Sequence, residues 1–490
     1  MSLVLNTNIS SLNAQRNLTT SQASLAQSLQ RLSSGLRINS AADDAAGLAI
    51  STRFTTQING TNQAINNAND AVSEAQTAGG ALATLTNSLQ SIRTLAVEAA
   101  NGSNSASDRQ ALDQQVQQQI AEITQIASQT SFNGSNVLDG SSGTTVFQVG
   151  ANIGNTVSIN LTTGVRADQI GQYASATGAA VSTNALSSTN TVTITDSTGT
   201  AVTVGASVAG ANTYQSASSA YAKAIAINSA GLQGLTASAS TAVTDGAFVP
   251  VTSTAATATY SLSVNGTSIF SNLDVSTATG APLSASQLVT AVNQNSNTTG
   301  VTASVSAGAV SFAAADGRDI SITQSSTLAG VTGNTLGLTA AVSSNAGTTS
   351  KGSITLTDTN ALTIAGTGTG LADSGLTAHT NIALGTTTLA QQDVKTVADA
   401  NKTIAAVDAA LQTVSSFNSQ LGAIQNRFTA AVSNLTSTAQ NLSQSRSTLQ
   451  DTNFAAETAN LTQANVLEQA GISVLAQANQ QPQLILKLLA

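Results

Sequence analysis

The sequence predicts an α+β multidomain protein in which long helices from both chain ends form a coiled coil around a β-rich middle. Three observations support this fold class. Apolar residues recur every seven positions near both ends, as in paired helices. From about residue 131 the pattern changes to short alternating runs typical of strands. Only 8% of the residues are charged and 3% aromatic, a composition that suits long elements packed through small side chains.

The C-terminal heptad repeat is the strongest helical signal. It continues without proline and with Gly422 as its one interior glycine. Matching repeats near the N-terminus, at residues 18–36, 58–72 and 82–99, are its expected partners, because a helix with a single apolar stripe must bury that stripe against another helix. The predicted coiled-coil core contains Leu85, Leu89, Ile92, Val407, Val414, Leu421, Phe428, Leu435, Leu442 and Leu449.

The two extreme ends carry thinner apolar stripes with few charges. Burying one apolar side chain contributes roughly 1.5–3 kcal/mol, whereas ordering a residue costs about 1.5 kcal/mol, so neither end is stable as a lone helix. Either the ends dock on their own domain, or they stay flexible until neighbouring copies bury them. We expect subunit assembly to involve Leu18, Leu25, Leu29, Leu32, Leu36, Leu467, Gly471, Val474, Leu475 and Ala478. In the C-terminal segment Ala464, Leu467, Gly471, Val474 and Ala478 fall on one helix face.

The middle of the chain contains an internal repeat. Residues 234–240 match residues 300–306, and each copy follows a helix candidate, at 216–229 and 284–296. Each helix candidate in turn follows a strand–turn–strand pattern. We interpret the segment as two ββαβ-like units in tandem. Chance similarity in a Ser/Thr/Ala-rich region, or disorder of that region, are the alternatives.

Composition argues against several function classes. The net charge of −8 disfavours nucleic acid as a partner. No apolar run is long enough for membrane insertion, and the start lacks a secretory signal. There is no cysteine, and His379 is the single histidine, which excludes an H-E-x-x-H zinc motif. Asp43 and Asp44 are explained by a helix start. We therefore predict no catalytic, cofactor-binding or metal site and no enzyme.

Several segments resemble the signatures of the bacterial flagellins. They are residues 33–47, 66–70, 128–134 and 147–152 near the N-terminus, and 421–428 and 474–479 near the C-terminus. The resemblance implies an inner-tube helical domain of residues 1–43 and 453–490. A surrounding coiled-coil domain with a β-hairpin would comprise 44–175 and 393–452. Residues 176–392 would form the variable outer region, with subdomains at about 176–255 and 256–392.

The resemblance also implies a function. Such a structural protein is exported by the flagellar type III apparatus, self-assembles into a homopolymer, and forms the extracellular flagellar filament that serves motility. Its implied partners are a flagellar secretion chaperone and the filament cap and hook-junction proteins.

An innate immune Toll-like receptor is a further implied partner. Its surface would include Gln90, Arg93, Leu95 and Val97. The sequence departs from the receptor-binding pattern at Ser91, Thr94 and Gln115, where charged residues are missing.

Two alternative functions remain open. One is a hook–filament junction protein, which also has helical ends. The other is a secreted filamentous adhesin whose outer domain binds glycans, and this reading predicts binding activity within residues 175–392. A filament-borne enzyme is disfavoured by the poverty of catalytic side chains.

Overall fold

The computed structural model describes residues 7–254, 258–276, 280–326, 331–332 and 346–489. Residues 1–6 and 490 of the predicted inner-tube domain lie outside this part of the chain. Its helices are α1 (Ile9–Ser34), α2 (Ala45–Ala99), α3 (Ala106–Gln129), α4 (Ala220–Asn228), α5 (Ala285–Gln294), α6 (Ser296–Thr299), α7 (Gly370–Ser374), α8 (Val397–Gln450) and α9 (Phe454–Leu489).

The strands lie between α3 and α8, as the change of sequence period predicts. They are β1 (Ser131–Phe132), β2 (Ser135–Asn136), β3 (Gly143–Gln148), β4 (Thr156–Leu161), β5 (Ala174–Ala180), β6 (Val192–Asp196), β7 (Ala201–Thr203), β8 (Thr236–Ala247), β9 (Thr252–Ser253), β10 (Thr259–Val264), β11 (Thr267–Asp274), β12 (Thr302–Ser306), β13 (Ala309–Ala314), β14 (Ile320–Ser326), β15 (Val331–Thr332), β16 (Ala346–Ser350), β17 (Ser353–Asp358), β18 (Leu362–Gly366) and β19 (His379–Ile382). The α+β fold class is therefore confirmed.

Contacts divide the chain into two compact units. The first comprises residues 1–79, 142–162 and 419–490, and the second comprises residues 80–141 and 163–418. The first unit contains α1, α9, parts of α2 and α8, and the antiparallel β3–β4 hairpin. The second contains α3, the remaining parts of α2 and α8, and the β-rich middle.

In the first unit, α2 packs through alanines. Ala64, Ala68, Ala71, Ala75 and Ala78 are almost completely buried at alternating spacings of three and four residues. The β3–β4 hairpin turns Val157, Ile159 and Leu161 inward. The ring of Phe147 meets that of the buried Phe428 edge to face, with centroids 5.7 Å apart.

Most of the predicted coiled-coil core is buried. In the second unit Leu85, Leu89 and Ile92 of α2 are fully buried, as are Val407 and Val414 of α8. In the first unit α8 buries Leu421 and Phe428, whereas its later heptad positions Leu435, Leu442 and Leu449 are only half-buried. The heptad stripe therefore runs the length of α8 but is fully covered only between Val407 and Phe428.

The two predicted repeat units are present, each as ββαβ followed by two further strands. The first module comprises β6, β7, α4, β8, β17 and β18. The second module comprises β10, β11, α5, β12, β13 and β14. In each module the first two strands pair as a hairpin, the last strand pairs with the first, and the fifth pairs with the one after the helix.

The tandem arrangement and the subdomain boundary near residue 255 are wrong. The second module is inserted between β8 and β17 of the first, so the first module is completed only by residues 353–366. The two modules share one five-stranded sheet, because β8 also pairs with β13. Local sequence patterns cannot show this nesting, since each completing strand lies more than a hundred residues from its partner.

An asparagine side chain closes each module in the same way. The amide of Asn228 at the end of α4 donates to the carbonyl oxygen of Ala237 at 2.8 Å and accepts from its N–H at 2.7 Å. The amide of Asn293 at the end of α5 makes the same two bonds to Ala303, at 2.9 and 2.7 Å. The same two bonds at matching positions support a structural repeat in the two modules.

Candidate assembly interface

The helices nearest the two chain ends pack against each other in antiparallel orientation. Asn8, the N-cap of α1, donates from its side chain to the carbonyl oxygen of Ala478 at 2.8 Å. The Ser11 hydroxyl donates to the Asn479 side chain at 2.7 Å. At the far end of the pair, Leu36 forms a β-bridge with Asp451. The docking alternative for the chain ends is therefore realised within the first unit.

Small side chains line the contact between these helices. Ser11, Ala14 and Ser28 are buried on α1, and Ala464 and Ala478 are buried on α9. Between them are predicted positions that are half-buried: Leu18, Leu25, Leu32, Leu36, Gly471 and Leu475. Serine, alanine and glycine let two helix backbones approach closely.

The predicted assembly face of α9 is divided between two environments. Leu467 and Val474 are 51% and 56% exposed, whereas Ala464, Gly471 and Ala478 lie in the contact with α1. The stripe that faces α1 also contains the half-buried Leu461 and Leu475. Spacings of three and four residues allow either set, and the position of α1 decides which one is covered.

The outer surface of the α1–α9 pair is apolar. Its exposed large side chains are Ile9, Leu12 and Leu29 on α1, and Phe454, Val466, Leu467, Ile472 and Val474 on α9. Exposed large apolar side chains on both helices make this surface a candidate for burial by another molecule. Of the ten residues predicted for assembly, Leu29, Leu467 and Val474 thus lie on the free side of the pair.

Hydrogen bonds join the end of α1 to the junction between α8 and α9. Gly35 has a left-handed φ of 71° and ends α1, and its carbonyl accepts from the N–H of Thr452 at 2.9 Å. The N–H of Arg37 donates to the carbonyl oxygen of Gln450 at 2.7 Å, and its guanidinium donates to that of Leu449 at 2.6 Å. The resemblance placed a domain boundary near this joint, where the chain leaves α8 and enters α9.

The start of α2 explains the paired aspartates. The Asp44 carboxylate accepts from the N–H of Gly47 at 2.8 Å, so it caps the helix. The Asp43 carboxylate accepts from the backbone N–H groups of Ser40 and Asn39 and from the Ser40 hydroxyl, and these bonds lower the pKa of Asp43. Both carboxylates stabilise the helix start.

The β3–β4 hairpin adds exposed apolar residues that sequence reasoning missed. Val146 is 60% exposed and Ile153, at the turn, is fully exposed. The signal was present, because isoleucine is unusual in a solvated Asn-Ile-Gly-Asn turn. Next to this turn, the side chain of Asn67 on α2 donates to the carbonyl oxygen of Gln148 at 3.0 Å, which holds the hairpin on the helix.

The residues predicted for immune recognition lie in the second unit. Gln90 and Val97 are exposed and Leu95 is half-buried. The guanidinium of Arg93 forms an exposed ion pair with Asp408 of α8 at 2.7 Å. Exposed ion pairs contribute little to stability, so Arg93 is free to exchange partners.

The described residues offer little chemistry of other kinds. They contain no group of three or more His, Asp or Glu side chains arranged for a metal ion. His379 is exposed and bonds the Thr377 hydroxyl at 2.7 Å. Within the same part of the chain, no helix combines the length and apolar character that a membrane crossing requires.

Comparison with known proteins agrees with the helical ends. Residues 5–143 match the bacterial flagellin N-terminal helical region, and residues 404–489 match the C-terminal helical region. Two solved structures are similar with low TM-scores. FliC from Burkholderia pseudomallei is 27% identical and covers 73% of this chain and 99% of its own, with a TM-score of 0.30. The flagellar junction protein FlgL from Legionella pneumophila is 14% identical and covers 82% and 99%, with a TM-score of 0.32.

Sequence identity to full-length relatives assigns the chain to a family. The B-type flagellin of Pseudomonas aeruginosa is 39% identical over 100% of both chains. A flagellin of Salmonella choleraesuis is 35% identical, again over 100% of both. The similarity therefore includes the β-rich middle as well as the helical ends, and the chain belongs to the bacterial flagellin family.

Proposed function

We propose that this chain polymerises into the extracellular flagellar filament and serves as its structural subunit. The observation that carries the proposal is the apolar outer surface of the α1–α9 pair. Each Leu, Ile, Val or Phe on it would contribute roughly 1.5–3 kcal/mol on full burial. Contacts that join unlike surfaces head to tail generate open helical polymers. Many modest contacts of this kind suit a filament that grows one subunit at a time.

The remaining implications of the family belong to the same proposal. Residues 1–43 and 453–490 line the inner tube, residues 44–175 and 393–452 surround it, and residues 176–392 project outward. The chain leaves the cell through the type III apparatus, after a secretion chaperone has masked its C-terminal helix. It then meets the hook-junction and cap proteins at the filament end. The filament acts as a helical propeller.

Seeded elongation tests this function. Purified full-length protein, seeded with short filament fragments, should elongate into filaments visible by electron microscopy. Leu467→Gln/Val474→Gln should raise the critical concentration at least tenfold, since about 1.4 kcal/mol per subunit corresponds to a factor of ten. Ile225→Gln is the matched control, because Ile225 is a 44% exposed apolar residue on α4, outside the terminal helices.

Truncation gives the complementary result. Removal of residues 454–490 should abolish elongation while the β-rich middle stays folded by circular dichroism. Elongation of the truncated chain at the full-length rate would contradict the role of the terminal helices. Failure of every variant and of the wild type to elongate, together with glycan binding by the outer region, would favour the adhesin function.

Recognition by an innate immune receptor is a second, narrower proposal. The exposed Gln90, Arg93 and Val97 support it, since these side chains are available in the single chain. Receptor activation by monomer should fall at least tenfold for Arg93→Ala. Lys402→Ala, which removes another exposed cation of an ion pair, should leave activation unchanged.

A further inference from the structure

Two aspartates occupy core positions of the first module. In a strand, alternate side chains point to the same face. On this basis β6 turns Val192, Ile194 and Asp196 inward, and β17 turns Ile354, Leu356 and Asp358 inward. Asp196 is 8% exposed and Asp358 is 1% exposed. Each is the last inward residue of its strand.

The second module has apolar residues at the matching positions. The last inward residue of β10 is Val264, and that of β13 is Ala314, and both are fully buried. The shared topology therefore does not need a carboxylate at either place. The first module carries two charges where its structural copy carries none.

The two carboxylates are neighbours. Asp196 lies opposite Leu362 in the β6–β18 ladder, and only residues 359–361 separate Leu362 from Asp358. The negative charge of Asp196 contributes, after burial, to raising the pKa of Asp358 to about 6. Each carboxylate also stabilises the turn that follows it. The Asp196 carboxylate accepts from the N–H groups of Thr198 and Thr200, and the Asp358 carboxylate accepts from the N–H of Asn360.

One carboxylate oxygen has no protein partner. Among the described residues none donates a hydrogen bond to the buried Oδ2 atom of Asp358. Within the same residues, neither Asp358 nor Asp196 forms an ion pair with a lysine or arginine. A buried charge without a counter-charge is costly. The Thr198 hydroxyl and the N–H groups of Thr198 and Thr200 already bond to Asp196 and lower its pKa. The charge left without compensation is that of Asp358, where a cation would supply the missing counter-charge.

The second module has an aspartate two residues beyond Ala314, and that charge is compensated by an arginine. There Asp316 pairs with Arg318 at 2.8 Å, and the Arg318 guanidinium lies against Gly300. Gly234 is the repeat counterpart of Gly300. An ideal Cβ on Gly234 would lie 2.5 Å from Oγ1 of Thr359 and 3.2 Å from Oδ1 of Asp358. The first module thus places oxygen atoms, and no guanidinium, beside its glycine.

We propose that Asp196 and Asp358 bind a calcium ion in the first module. Two carboxylates balance a divalent charge, and the Thr198 and Thr359 hydroxyls beside them are neutral oxygen ligands of the kind that calcium accepts in irregular geometry. Magnesium requires near-ideal octahedral coordination and retains its water ligands, so it fits an irregular oxygen site less well. The ion would join the end of β6 to the end of β17 and so fasten the late strands to the early ones.

Calcium titration of the full-length monomer tests the site. Isothermal titration with CaCl₂ should show one saturable site, with a Kd on the order of 10⁻⁴–10⁻³ M, the range of extracellular modules. Calcium should also raise the melting temperature. In Asp196→Val/Asp358→Ala, which installs the residues of the second module, binding should weaken at least tenfold while the calcium-free fold persists by circular dichroism.

A charge-matched control separates the site from general attraction to an acidic chain. Glu98→Gln/Glu122→Gln also removes two carboxylates, from exposed positions on α2 and α3, and should bind calcium like the wild type. No saturable calcium binding by the wild type, or equal binding by Asp196→Val/Asp358→Ala, would overturn the proposal. Equal affinity for MgCl₂ would overturn the assignment to calcium.

Discussion

Gly471 of α9 lies directly against Leu18 of α1. An ideal Cβ on Gly471 would meet Cδ1 of Leu18 at 3.4 Å and its Cα at 3.9 Å. The two helices are thus as close as an alanine permits, and a larger side chain would have to push them apart. This contact links the terminal helices at two residues that were both predicted to take part in assembly.

Substitutions at Gly471 should separate the effect of α1–α9 packing from the effect of helix propensity. Gly471→Ala fits the available space and removes a poor helix former, so filaments should be as stable or more stable by up to about 1 kcal/mol. Gly471→Phe should displace α1 and raise the critical concentration of seeded elongation at least tenfold. Normal elongation of Gly471→Phe would show that the α1–α9 contact is not needed in the filament.

The aromatic contact between Phe147 and Phe428 should dominate the stability of the hairpin region. Phe428→Ala empties a fully buried site and should lower the free energy of unfolding by about 3–5 kcal/mol. Phe454→Ala, at a 56% exposed position, should change the monomer by less than about 0.5 kcal/mol. Urea unfolding of the two monomers measures both. Similar losses for the two variants would contradict the burial difference.

The asparagine clamps predict equal costs in the two modules. Asn228→Ala and Asn293→Ala each remove two hydrogen bonds to the backbone of the following strand. Each should destabilise the protein by about 1–3 kcal/mol, since buried backbone groups lose their partners. Chemical denaturation measures the loss, with Asn87→Ala at an exposed position of α2 as the control. A cost confined to one module would show that the clamps are not equivalent.

Lys223 should make stability depend on alkaline pH. Its side chain is fully buried, and its ammonium donates to the carbonyl oxygens of Ser182 and Asp373. Burial lowers the pKa of Lys223 from 10.5 to about 8. Between these values the unfolded chain binds more protons than the folded one, so stability rises with pH over this window. Below pH 8 the burial cost is fully present.

A comparison of variants isolates that effect. The stability of the wild type relative to Lys223→Met should increase between pH 7 and pH 10.5, by roughly 2–3 kcal/mol at 1.36 kcal/mol per pKa unit. Lys402→Met, at an exposed lysine, should show no such trend. Urea unfolding across this range provides the measurement. A flat difference between wild type and Lys223→Met would mean that Lys223 stays charged when folded.

Features that depend on local interactions could be predicted from the sequence. The heptad positions from Val407 to Phe428 are buried because their period matches a helix surface, whatever the partner. The helix candidates of the middle begin beside Ser219 and Ser284, whose hydroxyls accept from backbone N–H groups three residues later. These features depend on neighbours within a few residues, so the sequence alone determined them, together with the family signatures at both ends.

Only the tertiary structure decided the nesting of the two modules, the covered face of α9 and the meeting of Asp196 with Asp358. In each case the partners lie far apart in the chain, and several pairings satisfy the same local pattern. In the sequence, Leu467 and Leu475 fit an apolar stripe equally well, and the position of α1 determines that Leu475 is the one covered. Strand pairing likewise uses backbone hydrogen bonds, which almost every residue can form, so the local sequence does not identify the partner strand. Long-range packing breaks these degeneracies, because only one arrangement fills the core and pairs the strands together.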